Sequence, residues 1–299
     1  MLQVVEPGSW RAWLLASRPK TLPAAVVPVA VGTACAHRLD AAAWDAALAA
    51  LLGALLIQVG TNLANDLFDH QKGADTEARI GPQRAVQSGL LSSGQVRSGM
   101  ALVFSAAVLV GLYLVKLAGW PIFAVGVISI IAGIAYTGGP FPLAYNGLGD
   151  VFVMVFFGFV AVGGTAWVQM QTVPALALGA AVPVGALATA MLVVNNLRDV
   201  DTDRQAGKNT LVVRFGARLA LVQYSFMLLL AYGSSVALIW LPGGGGLGVL
   251  LPWLSAPVAL RLNAAIRTQS GPALNEVLAC TARLLLVFGL LLTVGLVLP

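Results

Sequence analysis

Two acidic stretches hold the residues best suited to chemistry. The first reads Asn62-Leu63-Ala64-Asn65-Asp66-Leu67-Phe68-Asp69, with Lys72 and Asp75 just beyond. On a helix, positions 62, 65, 66 and 69 follow the i, i+3, i+4, i+7 rule and share one face. The second reads Asn195-Asn196-Leu197-Arg198-Asp199, with Asp201, Asp203 and Lys208 following. Here Asn196, Asp199 and Asp203 fall at i, i+3 and i+7 of a continuing helix, while Asp201 points elsewhere. Oxygen donors without His or Cys suit a hard cation, and Mg²⁺ typically binds through a few carboxylates together with substrate phosphates. Flanking Lys and Arg hold the remaining phosphate oxygens. Two such faces predict a site for a phosphate-bearing anion bridged by Mg²⁺. The alternative is a pair of solvated helix ends, and matched phase in two separate clusters argues against it.

The elements that must carry these faces follow from composition. Of 299 residues, 59% are hydrophobic and 10% charged, and the mean hydropathy is +0.87. Soluble domains carry about a quarter charged residues, so this chain predicts an all-α integral membrane protein, one bundle over residues 1–299. A helix of about 20 apolar residues crosses a bilayer. Nine spans are predicted, at about 21–37, 44–66, 97–116, 119–137, 148–169, 174–197, 218–241, 247–266 and 277–298. Residues 1–20 read as an interfacial segment, with Trp10 and Trp13 beside Arg11 as the anchor. Arg18 and Lys20 interrupt this region before a signal peptide's apolar stretch could form. Cys35 and Cys280 lie in apolar stretches without metal-ligand spacing and read as small hydrophobes.

The net charge of +5 is explained by membrane topology rather than by nucleic acid. With the N-terminus cytoplasmic, that side receives Arg11, Arg18, Lys20, Lys72, Arg79, Arg84, Arg97, Arg198, Arg204, Lys208, Arg214, Arg218, Arg261 and Arg267. The opposite side holds only Arg38 and Lys116, and Arg283 falls inside the last span. This asymmetry predicts a cytoplasmic N-terminus, a C-terminus on the other side, and acidic clusters at the cytoplasmic face. A bacterial inner membrane is the expected location. A cation-coupled transporter is a competing reading, but transporters place such carboxylates near the bilayer midplane.

These residues also carry a family resemblance. Asn65-Asp66-x-x-Asp69 with Lys72-Gly73, and Asn196-x-x-Asp199-x-x-x-Asp203 with Gly207-Lys208, resemble the two aspartate-rich motifs of the UbiA superfamily of membrane aromatic prenyltransferases. Arg18-Pro19-Lys20-Thr21-Leu22-Pro23, Tyr136-Thr137-Gly138-Gly139-Pro140, Gly147-Leu148-Gly149-Asp150 and Asn195-Asn196-Leu197-Arg198-Asp199 are similar to the members acting on 1,4-dihydroxy-2-naphthoate in menaquinone synthesis. The resemblance implies a helical membrane fold and two substrates, a polyprenyl diphosphate and the naphthoate. It implies Mg²⁺ as cofactor, with membrane lipid as surroundings. Other aromatic acceptors, such as 4-hydroxybenzoate or homogentisate, remain alternatives. One spacing departs from the pattern: Asp75 lies six residues after Asp69, where many members have a carboxylate four on, so Asp75 is set apart from the other ligands.

Asn65, Asp66, Asp69, Asn196, Asp199 and Asp203 form the expected metal set, the four aspartates being the catalytic core. Lys72 and Lys208 are the first expected diphosphate contacts and Arg18 and Arg84 the next; an ordinary inside-positive charge is the alternative for each. Asn62 lies one turn deeper. The segment from Tyr136 to Asp150 has no Lys or Arg; Tyr136, Tyr145 and Asp150 are expected in the acceptor pocket. Asp150 also suits a helix start, where negative charge is favoured. Arg283 has three readings: snorkelling, pairing with an acid, or binding the acceptor's carboxylate. His70 lies off the carboxylate face.

Overall fold

The computed structural model describes residues 5–74, 80–244 and 246–298. Their regular structure is helical throughout. A short helix α1 (Trp10–Ser17), capped by Ser9, ends at Arg18 in a left-handed turn (φ 51°). After one 3-10 turn, α2 (Pro23–Arg38) sets off at 52° to the segment before it. The next long helices are α3 (Trp44–Gln71) and α4 (Ser93–Ala118), and α5 (Trp120–Ala135) follows. One continuous helical stretch then combines α6 (Gly149–Val153), a π-helical segment Met154–Val160 and α7 (Ala161–Met170). After it come α8 (Ala175–Arg198) and two short helices, α9 (Val200–Gln205) and α10 (Leu211–Phe215). The chain finishes with α11 (Ala217–Ala237), α12 (Ala256–Thr268) entered through a 3-10 segment, and α13 (Leu274–Val297).

The chain is a multi-pass membrane protein, but a count of nine spans is not confirmed. Among the described residues seven helices are long and apolar enough to cross a bilayer, or eight when the bent pair Trp10–Thr21 and Pro23–Arg38 counts as one. Trp120–Ala135 is the shortfall: its 16 residues reach about 24 Å, against a hydrocarbon core of about 30 Å. The ends of the bundle are nonetheless unambiguous. Arg38 Nη1 donates to the Leu298 carbonyl at 2.7 Å, so α2 and α13 finish at the same end. At the other end the Gly8 amide donates to the Leu90 carbonyl at 2.8 Å, and Asn275 Nδ2 to the Ile80 carbonyl at 3.1 Å.

Small residues decide the packing, as expected where lipid tails remove the usual hydrophobic drive between helices. Helix α8 is the centre, with Ala177, Ala180, Ala181, Ala186, Ala188 and Ala190 all buried. Gly158, in the π-helical segment, and Gly185 on α8 bring two backbones together. A Cβ on Gly158 would stand 2.8 Å from the Ala181 carbonyl, and one on Gly185 2.8 Å from that of Met154. At the site end, Ala12 and Ala16 of α1 pack with Leu63 and Leu67 of α3 and with Ala85, Leu90 and Leu91. The 80–92 loop therefore lies over α3, and Ser92 with Gln95 closes it in a capping box that starts α4.

Candidate active site

The site grows from the last two turns of α3. Asp66 and Asp69 are both buried on the face the spacing predicts. Asp66 accepts from the backbone amides of Ala85, at 2.9 Å, and Val86, at 3.2 Å, so its carboxylate fixes the 80–92 loop. That loop presents Arg84, whose Nη2 donates to Asp69 Oδ2 at 2.9 Å, both side chains being buried. Asp69 Oδ1 also faces Lys208 Nζ, at 3.1 Å, and accepts from the Tyr145 hydroxyl at 3.0 Å. Asn65 accepts from Thr137 Oγ1 at 2.9 Å, and the Thr137 carbonyl accepts from Lys72 Nζ at 2.8 Å. Asn62 does not reach the carboxylates; its amide donates to the Ser17 carbonyl and Thr21 Oγ1, tying α3 to the bend after α1.

The second motif corrects one expectation, because no single helix runs from Asn196 to Asp203. Helix α8 stops at Arg198, and Asp199 serves as its C-cap and as the N-cap of α9. Bonds from the Asp199 amide to Asn195 and from the Asp203 amide to Asp199 carry the chain through the break. The break lets neighbours in sequence pair, which a regular helix forbids. Arg198 donates to Asp199 through Nε at 2.8 Å and through Nη2 at 2.5 Å, the bidentate arrangement. Nη2 also donates to Asn195 Oδ1 at 2.9 Å, and Nη1 donates to Asn275 Oδ1 at 3.0 Å. Asp203 is buried and faces Lys208 Nζ at 3.8 Å. Asp201 lies outside the cluster, with its side chain 80% exposed beside Arg204.

Lys208 thus stands between Asp69 and Asp203, one carboxylate from each motif. Tyr145 adds a second link: the ammonium groups of Lys72 and Lys208 lie 4.7 and 4.9 Å from its ring centroid. Burial pushes the Lys72 ammonium below its ordinary value; Asp69 opposes this, and Lys208 adds to it as a like charge. In all, Lys72, Arg84, Arg198 and Lys208 face Asp69, Asp199 and Asp203 at one end of the bundle.

Beside this cluster lies a small chamber of about 10 Å³, lined by Tyr136, Ala144, Gly147, Gly149, Asp150, Asn196 and Thr210. Asp150, in the first turn of α6, accepts from Gln223 Nε2 of α11 at 2.8 Å. Burial first, then Asp150, Asp203 and Asp69, raises the Tyr136 hydroxyl well above the ordinary phenol, so it stays protonated as a donor.

The structure brings together all four aspartates, Asn65, Lys72, Arg84, Lys208 and Tyr145, with Asn196, Tyr136 and Asp150 adjoining. Arg18 is at the turn after α1. Arg283 is not part of the site: its side chain is 73% exposed and its Nη1 faces Glu276 at 3.6 Å. The pairing reading holds for it, because Glu276 lies two turns earlier on the same stripe of α13. His70 is exposed and lines a separate outer groove with Pro7 and Gly89. Asp75 lies outside the described residues. Sequence reading missed the roles of Arg198, Thr137, Asn275 and Gln223, which arise from a helix break and from contacts distant in the chain.

Among the described residues no three His, Cys, Asp or Glu side chains are grouped as a metal cage. Mg²⁺ does not require one, since one or two carboxylates and substrate phosphates commonly hold it. The donors present are all hard oxygens, from four carboxylates and the amides of Asn65 and Asn196, and they fit that ion.

Residues 25–287 match the model of the UbiA prenyltransferase family. The chain is 38% identical over 289 residues to the 1,4-dihydroxy-2-naphthoate octaprenyltransferase of Mycobacterium tuberculosis, covering 95% of this chain and 96% of the relative. It is 45% identical over 213 residues to the protein of the same name from Escherichia coli, covering 69% of each. Among solved structures, a UbiA homolog from Archaeoglobus fulgidus bound to DMAPP and Mg²⁺ superposes with a TM-score of 0.62, at 14% identity, covering 94% of this chain and 99% of that one. The apo structure of a UbiA homolog from Aeropyrum pernix gives a TM-score of 0.66, at 15% identity over 89% of this chain and 96% of that one.

Proposed function

The chain belongs to the UbiA prenyltransferase family, and from that premise we propose that it joins a polyprenyl chain to 1,4-dihydroxy-2-naphthoate, releasing diphosphate and carbon dioxide and giving demethylmenaquinol. The names of its full-length relatives support the acceptor. The observation that carries the site is the Lys208 ammonium between Asp69 and Asp203, 3.1 and 3.8 Å away. It marks the point where both acidic motifs face one cation, the position a bridged diphosphate requires.

Lys72, Arg84 and Lys208 hold the diphosphate oxygens, with Arg18 at the rim. Asp66, Asp69, Asp199 and Asp203, with the Asn65 and Asn196 amides, would hold Mg²⁺, which would supply charge neutralisation for the departing diphosphate. The allylic C–O bond breaks with its electron pair leaving on the diphosphate. The ring carbon bearing the carboxylate forms the new C–C bond. Its bond to the carboxylate then breaks, and those electrons restore the aromatic ring as carbon dioxide leaves. No base is needed at that carbon. The site end of the bundle faces the cytoplasm, where fourteen of the 17 basic residues are expected to gather, in a bacterial inner membrane.

The test is a decarboxylation assay on the purified protein with carboxyl-labelled naphthoate, a polyprenyl diphosphate and Mg²⁺. Labelled carbon dioxide is expected only with both substrates, and chelation with EDTA abolishes it. Diphosphate formed with another aromatic acceptor but not with the naphthoate would discard the acceptor and keep the site. Release undiminished by chelation would remove Mg²⁺ from the mechanism.

A further inference from the structure

The chamber at Tyr136 and Asp150 carries an inference that rests on the naphthoate reading and deepens it. We propose that this chamber seats one hydroxyl of the acceptor ring, with Asp150 accepting its hydrogen bond and Gln223 acting as the positioning residue for that carboxylate.

Three observations converge. Asp150 is only 7% exposed, although a helix-start aspartate needs no burial. It is held from a different helix, by the 2.8 Å bond from Gln223 Nε2 to Oδ1. A carboxylate only accepts, so this bond fixes the amide's orientation. It leaves Gln223 Oε1 buried and without a partner among the described residues. An orphaned buried acceptor is costly, and it is retained here together with the contact to Asp150. Second, Asn196 is 7% exposed and lines the chamber. Third, Gly149 keeps the space open, since a Cβ there would stand 3.0 Å from the Tyr136 hydroxyl.

Size and polarity then define what fits. A volume of about 10 Å³ accommodates a single water-sized oxygen; it admits a ring hydroxyl and excludes the ring. A hydroxyl both donates and accepts. It donates to Asp150 and accepts from the Tyr136 phenol or the Asn196 amide. A carboxylate offers no proton to Asp150 and is repelled by it, so the chamber orients the acceptor hydroxyl-first and leaves its carboxylate outside. A hydrogen bond to an anion is among the stronger kinds, and it shifts electron density from the O–H bond into the ring that attacks the allylic carbon.

The experiment compares 1,4-dihydroxy-2-naphthoate with its two deoxy analogues, 1-hydroxy-2-naphthoate and 4-hydroxy-2-naphthoate, on the wild type, Asp150→Ala and Gln223→Leu. In the wild type, one analogue is expected to lose about 100-fold in kcat/KM, the size of a lost charge-assisted hydrogen bond. In Asp150→Ala that preference falls to about threefold or less, and Gln223→Leu lies between. The KM for the polyprenyl diphosphate and the melting temperature stay near wild type, which separates the effect from misfolding. Variants that slow all three acceptors by the same factor, or a wild type that does not discriminate, overturn the proposal while the naphthoate reading stands. A wild type that releases no carbon dioxide from the dihydroxy acid overturns both.

Discussion

At the end of α3 the two carboxylates sit on an unbroken helix, and each is tied to something outside it. Asp66 holds the backbone of residues 85 and 86, and Asp69 gathers Arg84, Lys208 and Tyr145. At the end of α8 the helix stops, and Asp199 is gripped by the residue beside it in sequence. Asp203, one turn on, faces Lys208 at 3.8 Å. Two stretches that look alike as strings therefore do different work. The first organises its surroundings, and the second is braced from within.

The sharpest way to break this contrast is to remove the hub. Asp69→Ala is expected to lower kcat/KM by at least about 10³-fold, since a preorganised charge cluster loses its centre. Asp203→Ala is expected to lose less. Equal losses in the radiolabel assay would mean that the two motifs are equivalent in function whatever their construction. The bracing of the second motif is a stability statement. Arg198→Ala leaves Asp199 buried without its guanidinium, which costs about 3 kcal/mol. A melt in detergent should fall by several degrees, and by more than for Arg84→Ala, where Lys208 and Tyr145 still serve Asp69.

Asp66 sharpens the comparison at a finer scale. In Asp66→Asn the amide accepts from one of the two backbone donors and presents its own N–H to the other. The loop should loosen by about 1 kcal/mol, seen as faster hydrogen exchange at the 85 and 86 amides. Because Arg84 rides on that loop, the KM for the diphosphate should rise. Protection unchanged from wild type would show that burial of Ala85 and Leu91, not Asp66, holds the loop. The smallest effect is expected at Arg283. Its exposed pairing with Glu276 is the kind that contributes little, so Arg283→Ala should stay within about twofold of wild type.

The sequence was most informative where helical phase alone decides position. Asn65, Asp66 and Asp69 could be placed on one face because α3 is regular to its end. Phase failed one turn after Asn196, because a break at Asp199 is not encoded by a Gly or Pro and is held by Arg198, which a helix would turn away. Arg283 was left open because a charged residue inside an apolar run does not reveal which side of the helix meets the bundle. Gln223 was invisible: nothing on α11 marks it, and its role exists only where α6 and α11 meet. Nine spans are read from the sequence where seven or eight helices among the described residues are long enough to cross, and Trp120–Ala135 shows that an apolar run long enough on paper can lose its length to the turns at either end.

The pairing of Arg84, Arg198 and Lys208 with buried carboxylates makes this end of the bundle an ion exchanger. On the proposed function, an incoming diphosphate would not meet bare cations; it would have to take them from Asp69, Asp199 and Asp203, whose carboxylates would then be free to hold the metal. Each exchange subtracts from the affinity that the number of cations suggests. The same subtraction would operate in reverse when diphosphate leaves, because Arg84, Arg198 and Lys208 each have a carboxylate waiting at contact distance. A leaving group that most anion sites would retain is thereby released by the site's own counter-charges.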